Sequence, residues 1–540
     1  MNPVQPIRPN PTSARADQTA GKLSPGAGVR ELLGQHERRR RQLPRALLVG
    51  LLAGLVAVAF QWTLAEADGL RGRAIAWAHT LGVAGLPLLM VALSLPISAA
   101  IALVRNLAPE AAGSGIPHLE AVLHQLAPLR AGRLLAVKFA GGVAGIGAGL
   151  ALGREGPTIQ MGSAVGQLVA QRLRATPRER QTLIAAGAGA GLSAAFNAPL
   201  AGLVFVLEEL QRDFAPAVFT ITLVASVVAD VLARSLLGQL PIFHIDTRAI
   251  PSLAALPVSL VLGAAAAGLG VAFSRGLLRA QVLAAPLVRR PAWVTGGLAG
   301  GSLAVVGWFL PGTLAGGQHL LEATFAGEFT LPLLAGFFVL RFVLTLGSYA
   351  TGAPGGIFTP MLVLGATLGM GMGEISRWLA PGLVVEAHTF AVVGMAAVFT
   401  AIVRAPLTAI VLMVELTGDY SLVLPLLVAV LTAGGLADYL GEAPLYQSLL
   451  RRDRSIAQPT AQLPEALLVE LSLAAGAPFA GRQVHELGLP PGVILVAVRR
   501  GLVEEVPSAD FRLAAGDRVT ALVGPHAAAA IPLLHAGTTA

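Results

Sequence analysis

Between Leu43 and about Leu440 the chain is mostly apolar, and it is apolar in pieces. A helix that crosses a bilayer needs about 20 such residues. Runs at 46–66, 81–104, 134–152, 183–207, 217–238, 256–283, 293–310, 331–350, 356–380, 388–417 and 421–441 meet or approach that length. Gly or Pro interrupts or borders several of them, at Pro96, Gly156-Pro157, Pro199, Gly355-Gly356, Pro360 and Pro406. Unwound backbone at membrane depth is tolerated only where it is buried in protein or lines a cavity. The pattern predicts an all-α polytopic membrane protein whose broken helices line a transport pathway. Composition narrows this further. Charged residues are 13% of the chain, about half the roughly 25% of a soluble domain. The absence of Cys excludes disulfide scaffolds, thiolate metal sites and Cys nucleophiles. Nucleic-acid binding is not expected, because the Arg residues are dispersed and aromatics reach only 5%.

The flanks differ from this middle. Residues 1–43 are polar and Pro-rich and end in Arg38-Arg39-Arg40-Arg41. Under the positive-inside rule they form a cytoplasmic tail. Residues 44–450 form the membrane domain, as two halves at about 44–240 and 250–450. Polarity returns at Arg451-Arg452-Asp453-Arg454, and 456–540 reads as a small α/β cytosolic domain. Strands are expected at 467–471, 493–498 and 519–523. Turns fall at Pro490-Pro491-Gly492 and Ala515-Gly516-Asp517, and a helix is expected near 526–535.

The membrane part repeats itself. Gly153-Arg154-Glu155-Gly156-Pro157 with Gly162 shares its Gly/Pro frame with Gly356-Ile357-Phe358-Thr359-Pro360 and Gly365, 203 residues later. Ala198-Pro199-Leu200 with Glu208 matches Ala405-Pro406-Leu407 with Glu415 at an offset of 207. Such repeats place a substrate site at their interface, near the bilayer midplane. Interrupted helices present free N–H groups and a positive dipole end there, which makes a site for a small anion. Binding by partial charges stays weak enough for release.

Gly113-Ser114-Gly115-Ile116-Pro117, Gly153-Arg154-Glu155-Gly156-Pro157 and Gly356-Ile357-Phe358-Thr359-Pro360 together closely resemble the CLC family of chloride channels and chloride/proton exchangers, over roughly 45–450. The resemblance implies a homodimer with one ion pathway per subunit, each subunit being two inverted halves of tilted, partly spanning helices. It places a central chloride against Gly113 and the Ser114 and Tyr446 hydroxyls, with the Ile357 and Phe358 N–H groups. An outer site falls to the Arg154-Glu155-Gly156 backbone with Phe358 and Thr359. Ser and Tyr suit such a task as donors without charge; taken alone, Ser114 also reads as a helix N-cap and Tyr446 as a belt residue at the membrane surface. Ser114 implies chloride over nitrate.

Glu155 is a carboxylate inside an apolar run, which is costly and by default functional; the plainer reading is an ion pair with Arg154. The resemblance makes Glu155 the gate and Glu209, second of the Glu208-Glu209 pair, the inner proton-transfer acid. The plainer reading puts both at a wet helix end. An acid at 209 implies chloride/proton exchange rather than the alternative, a passive chloride channel on the same fold. The resemblance also pairs Glu120 with Lys138, as electrostatic support. Residues 456–540 resemble the TrkA-C (RCK C-terminal) module, through Ala480-Gly481-Arg482, Leu487-Gly488-Leu489-Pro490 and Ala515-Gly516-Asp517-Arg518-Val519. It implies a small cytosolic regulator or a role in dimerisation. The expected setting is the bacterial inner membrane, with both termini cytoplasmic and lipid, chloride and protons as partners. No enzyme activity, metal or cofactor is expected. Thr345-Leu346-Gly347-Ser348-Tyr349 faintly resembles a potassium filter and is read as a helix end instead.

Overall fold

The computed structural model describes residues 25–538 except 213, 215, 239–252, 382–385, 453–465, 502, 526 and 528, with side chains from 42 onward apart from 217. The chain forms two compact units, 1–448 and 449–540. The expected boundary between the two halves and the linker after Arg452 lie outside the described residues, as do residues 1–24 of the tail.

The first half contains α1 (Pro25–Thr80), α2 (Gly85–Leu107), α3 (Ile116–Leu123), α4 (Ala131–Gly147), α5 (Glu155–Arg172), α6 (Pro177–Phe196), α7 (Pro199–Phe205) and α8 (Pro216–Leu237). The second contains α9 (Leu256–Val288), α10 (Ala292–Phe309), α11 (Gln318–Phe325), α12 (Leu331–Ala350), α13 (Phe358–Leu379), α14 (Ala387–Val403), α15 (Pro406–Thr417), α16 (Val423–Tyr439) and the short α17 (Leu445–Arg452). Among the described residues, eight helices are long and apolar enough to cross a membrane. The polar tail is helical from Pro25, which its composition did not announce.

The two halves pack alike. α5 lies on α6 as α13 lies on α14, and α8 on α1 as α16 on α9. The reason is in the glycines. A Cβ at Gly162 would strike the Gly187 carbonyl, and one at Gly365 would sit 2.5 Å from the Gly394 carbonyl. Small residues let backbones approach, which is how helices associate where lipid is as apolar as they are. The repeat is also inverted. Glu208, just past α7, accepts from Leu407 N (2.9 Å), Thr408 N (2.7 Å) and the Thr408 hydroxyl (2.7 Å) at the start of α15. Glu415, in α15, accepts from Leu200 N (3.0 Å) and Ala201 N (2.7 Å) at the start of α7. Each half caps the other's helix, so α7 and α15 run antiparallel about a local two-fold axis.

Several runs expected to be single helices are broken. The run 183–207 splits at Asn197, a left-handed C-cap (φ 53°) before Pro199. The run 388–417 splits at Arg404 (φ 70°) before Pro406. The helix α5 was not among the expected runs; its sequence is too polar, yet most of it is buried.

In the second unit, β1 (Leu467–Ser472), β2 (Val493–Arg500), β3 (Val503–Glu505) and β4 (Arg518–Val523) form an antiparallel sheet in the order β1-β4-β2-β3. Three of these are the expected strands, and both expected turns carry a positive-φ Gly, at Gly492 and Gly516. The short β3 was not expected. The closing helix α18 (Ala530–Thr538) starts later than expected and contributes Leu534 to a core shared with Leu495, Val519 and Ala521 of the sheet.

Candidate functional site

The interruptions converge. Gly153 N donates to Gly356 O (2.6 Å) and Gly356 N to Gly153 O (2.7 Å), so the two repeated motifs clasp each other reciprocally. Gly113 joins them: its N–H donates to Ala353 O (3.2 Å) and its carbonyl accepts from Gly355 N (2.9 Å). Gly113 and Gly115 have φ of 57° and 79°, which an L side chain rarely adopts. A Cβ at Gly156 would sit 2.8 Å from Ser114 O, and one at Gly356 would sit 2.9 Å from Gly156 N. The starts of α3, α5 and α13 therefore meet at one point. The first N–H groups of each have no helical acceptor, and their dipole ends add there.

The side chains at this point are buried and under-bonded. Ser114 is fully buried; its Oγ accepts from Ile116 N at 3.3 Å, a cap-like contact, and its hydroxyl also meets Tyr349. Tyr446, at the start of α17, is fully buried and its hydroxyl has no partner among the described residues. Its phenol lies within electrostatic reach of Glu155, Glu209 and Tyr349. Phe358 stands at the head of α13, with Phe399 at 4.5 Å and Phe196 at 5.2 Å between ring centres. This aromatic shell fixes the start of the helix.

Glu155 is buried at the first position of α5, and its Oε2 has no hydrogen-bond partner among the described residues. A Cβ at Gly153 would collide with that oxygen and lie 3.2 Å from Thr359 N, so the carboxylate stands beside the first turn of α13. Arg154 Nε is 3.9 Å from Oε1, too far for a hydrogen bond. The ion pair with Arg154 is a loose one, and it leaves Oε2 without a partner among the described residues. With Arg154, Thr359, Asp68, Gln61 and Gln318 it lines a cavity of about 220 Å³.

Glu208 and Glu209 lie on a π-helical turn, Val206–Gln211. Such turns often accompany functional sites. Adjacent positions on a helix do not face each other, and the two acids meet different partners. Glu208 caps α15, whereas Glu209 is buried and its Oε1 has no partner among the described residues. Glu209 does not face water as a simple helix end would; Glu208 is half-buried and bonded to α15.

The expected pairing of Glu120 with Lys138 is corrected by the structure. Glu120 Oε1 pairs with Arg212 at 3.0 Å. Lys138 donates to the carbonyls of Gly113 (2.7 Å) and Ala111 (3.0 Å). The ammonium is a second donor to the Gly113 carbonyl, which also accepts from Gly355 N, and it ties the Ser114 loop to the 3-10 turn Pro109–Ala111. Arg212 also reaches α17: turned with its oxygen inward, the Gln447 amide accepts at 2.7 Å.

Three residues were not anticipated. Tyr349 fills the space over Gly113 and contacts Ser114, and Ser348 Oγ accepts from Ala151 N at 2.9 Å. Both end α12 within the segment read as a helix end; that placement holds, but the segment also builds the site. Arg341 is fully buried in α12 and donates to the carbonyls of Thr313 (2.8 Å), Ala315 (2.9 Å) and Gly316 (2.9 Å), which shapes the wall of the cavity beside Glu155. A charge inside the apolar run Phe337–Leu346 was the available signal.

The fold and site define a polytopic membrane transport protein built from inverted repeats with a dipolar site between them. Residues 97–438 match the family model described as voltage gated chloride channel, and 468–532 match the TrkA-C domain. The chain belongs to the voltage gated chloride channel family. It is 40% identical over 435 residues to a H(+)/Cl(-) exchange transporter ClcA of Klebsiella pneumoniae, covering 79% of this chain and 92% of that one. It is 39% identical over 432 residues to the ClcA of Salmonella typhi, covering 78% and 91%. Among solved structures it resembles a slow cyanobacterial Cl-/H+ antiporter, at a TM-score of 0.74 and 33% identity, over 77% of this chain and 98% of that one.

Proposed function

We propose that this protein exchanges chloride for protons across the bacterial inner membrane, as the names of its relatives describe for them. The observation that carries the reading is that Tyr446 Oη and Glu155 Oε2, at the meeting of the three helix starts, and Glu209 Oε1, on the turn past α7, are among the buried polar atoms without partners in the described residues. Native structures leave few such atoms unexplained. Here a donor and two acceptors await a passing anion and a passing proton. Chloride binds between the Ser114 and Tyr446 hydroxyls and the N–H groups of Ile357 and Phe358, and next to the Arg154–Gly156 and Phe358–Thr359 backbone. No full positive charge needs to touch it. Glu155, when ionised, competes with chloride for the α13 N–H groups; when protonated it loses that attraction and moves aside with its proton. Glu209 supplies the proton from its own buried position. Lys138 and Glu120 position the Ser114 loop and Arg212 and carry out no transfer.

The test is a liposome assay with purified protein. A chloride gradient drives uphill proton movement through an exchanger and not through a passive channel. Glu209→Gln is expected to abolish proton movement and spare chloride flux; Glu155→Ala is expected to abolish coupling as well. Proton pumping that survives in Glu209→Gln removes the inner acid from this scheme. Proton pumping absent from the wild type, with chloride flux intact, leaves the channel.

The protein acts as a homodimer with one pathway per subunit, and residues 456–540 receive a small cytosolic regulator or aid assembly. Removal of 456–540 is expected to leave flux in place and abolish its response to that regulator; an unchanged protein in flux, assembly and response counts against the role.

A further inference from the structure

The cavity of about 330 Å³ between α10 and α12 is larger than the one beside Glu155 and shares no lining residue with it. We propose that it holds one acyl chain of an anionic phospholipid, whose phosphate sits at Arg105, Arg289 and Arg290. The inference stands apart from the transport reading.

The cavity arises because α10 is held on its other side. A Cβ at Gly296 or Gly300 would collide with Ser98 or Ser94 of α2, so α10 follows α2 closely. Its opposite face is left open toward α12. Leu298 and Val343, on the two sides of the opening, are 60% and 59% exposed, so the mouth faces the lipid.

The lining selects hydrocarbon over water. It is aliphatic apart from four hydroxyls, and these are engaged within the protein. Thr295 donates to Leu287 O (3.0 Å), Ser302 to Ala299 O (2.8 Å) and Thr351 to Ser348 O (2.7 Å), while Ser348 Oγ accepts from Ala151 N. A buried water wants two to four partners, and apolar cavities stay dry.

The polar end of the cavity is basic. Thr295 lines it and accepts from Arg105 Nη2 at 3.3 Å; Arg105 Nη1 donates to Arg290 O at 2.7 Å. Arg289 and Arg290 are exposed in the α9–α10 turn, and none of the three pairs with a carboxylate among the described residues. Trp293 is 71% exposed one turn away and Phe309 73% exposed at the far end of α10. Eighteen residues rise about 27 Å, near the hydrocarbon thickness, and aromatic residues mark both boundaries. The arginines therefore lie at headgroup level, where each attracts anionic lipid. The chain end of the lipid reaches Leu150 and Ser348, behind the loop that leads to Glu155.

The test is native mass spectrometry of the full chain released from nanodiscs of equal phosphatidylglycerol and phosphatidylcholine. One phosphatidylglycerol retained per subunit is expected, favoured on the order of tenfold. Ala299→Trp, which fills the cavity, is expected to remove the retained lipid. Arg289→Gln/Arg290→Gln, exposed and outside the packing, is expected to bring the preference close to equality and keeps the test decisive if Ala299→Trp fails to assemble. No retained lipid, equal retention of the two lipids by the wild type, or phosphatidylglycerol retention unchanged in the double variant overturns the proposal.

Discussion

At the scale of single residues, the site is defined by what its buried groups lack. Glu208 and Glu209 are neighbours in sequence, yet one is fully bonded and the other has a free oxygen. Adjacent positions on a helix do not face each other, and no periodicity in Leu203–Leu210 announces what each of the two acids meets. The same holds for Gly153. Its place in a Gly/Pro frame was legible, but the reason for it was not: a methyl there would run into the Glu155 carboxylate. Gly153→Ala is expected to push that carboxylate off its position, so that chloride flux persists while proton coupling falls. The reversal potential in a two-ion gradient measures this, and an unchanged coupling ratio shows that Glu155 does not occupy the pathway. Tyr349 and Arg341 escaped notice because their roles depend on loops distant in the chain, such as Thr313–Gly316 for Arg341.

At the scale of elements, the reciprocal caps tie the halves together. Removing a capping acceptor costs about 0.5–2 kcal/mol. Glu208→Ala and Glu415→Ala are each expected to lower stability by about that much, and by similar amounts, because the two-fold axis relates them. The thermal unfolding midpoint reports it. A large loss in one variant and none in the other contradicts the symmetry of the two contacts. Crossing geometry is equally sensitive. A side chain at Gly162 has the Gly187 backbone in its way, and Gly162→Val is expected to separate α5 from α6 and abolish monodisperse assembly on size-exclusion chromatography. The offsets 203 and 207 were readable in the sequence; that they mark antiparallel, mutually capping helices required the positions of Leu407 and Leu200.

At the scale of the whole molecule, the two units have separate cores and separate vulnerabilities. In the second unit, Asp517 is only 1% exposed and accepts from Arg500 at 2.8 and 2.7 Å and from Ala514 N at 2.8 Å. The Arg500 guanidinium holds its carboxyl below the usual carboxylate range, against the opposing effect of burial. A depressed pKa stabilises the fold above the unfolded value, near 3.9, and that stability is lost as pH falls through the folded value. Arg500→Gln is expected to move the onset of acid unfolding of 466–538 to higher pH. Circular dichroism of the β-rich unit against pH measures the shift, and an unmoved onset dismisses the pair as a stabilising element.

The sequence alone determined the class of this protein. Twenty-residue apolar runs, a charge content too low for water and a Gly/Pro frame used twice leave few folds open, because backbone polar groups in lipid must be satisfied within helices or beside a cavity. The candidate anion residues followed from motifs, and the three longer strands of the second unit from local patterning. Tertiary structure alone decided where charges end: Lys138 on carbonyls instead of Glu120, Glu120 on Arg212, Glu208 on a helix start and Glu209 with an oxygen left open. Local sequence records which groups are costly to bury. Which partner meets that cost depends on segments brought together from the far half of the chain, and no local pattern encodes them.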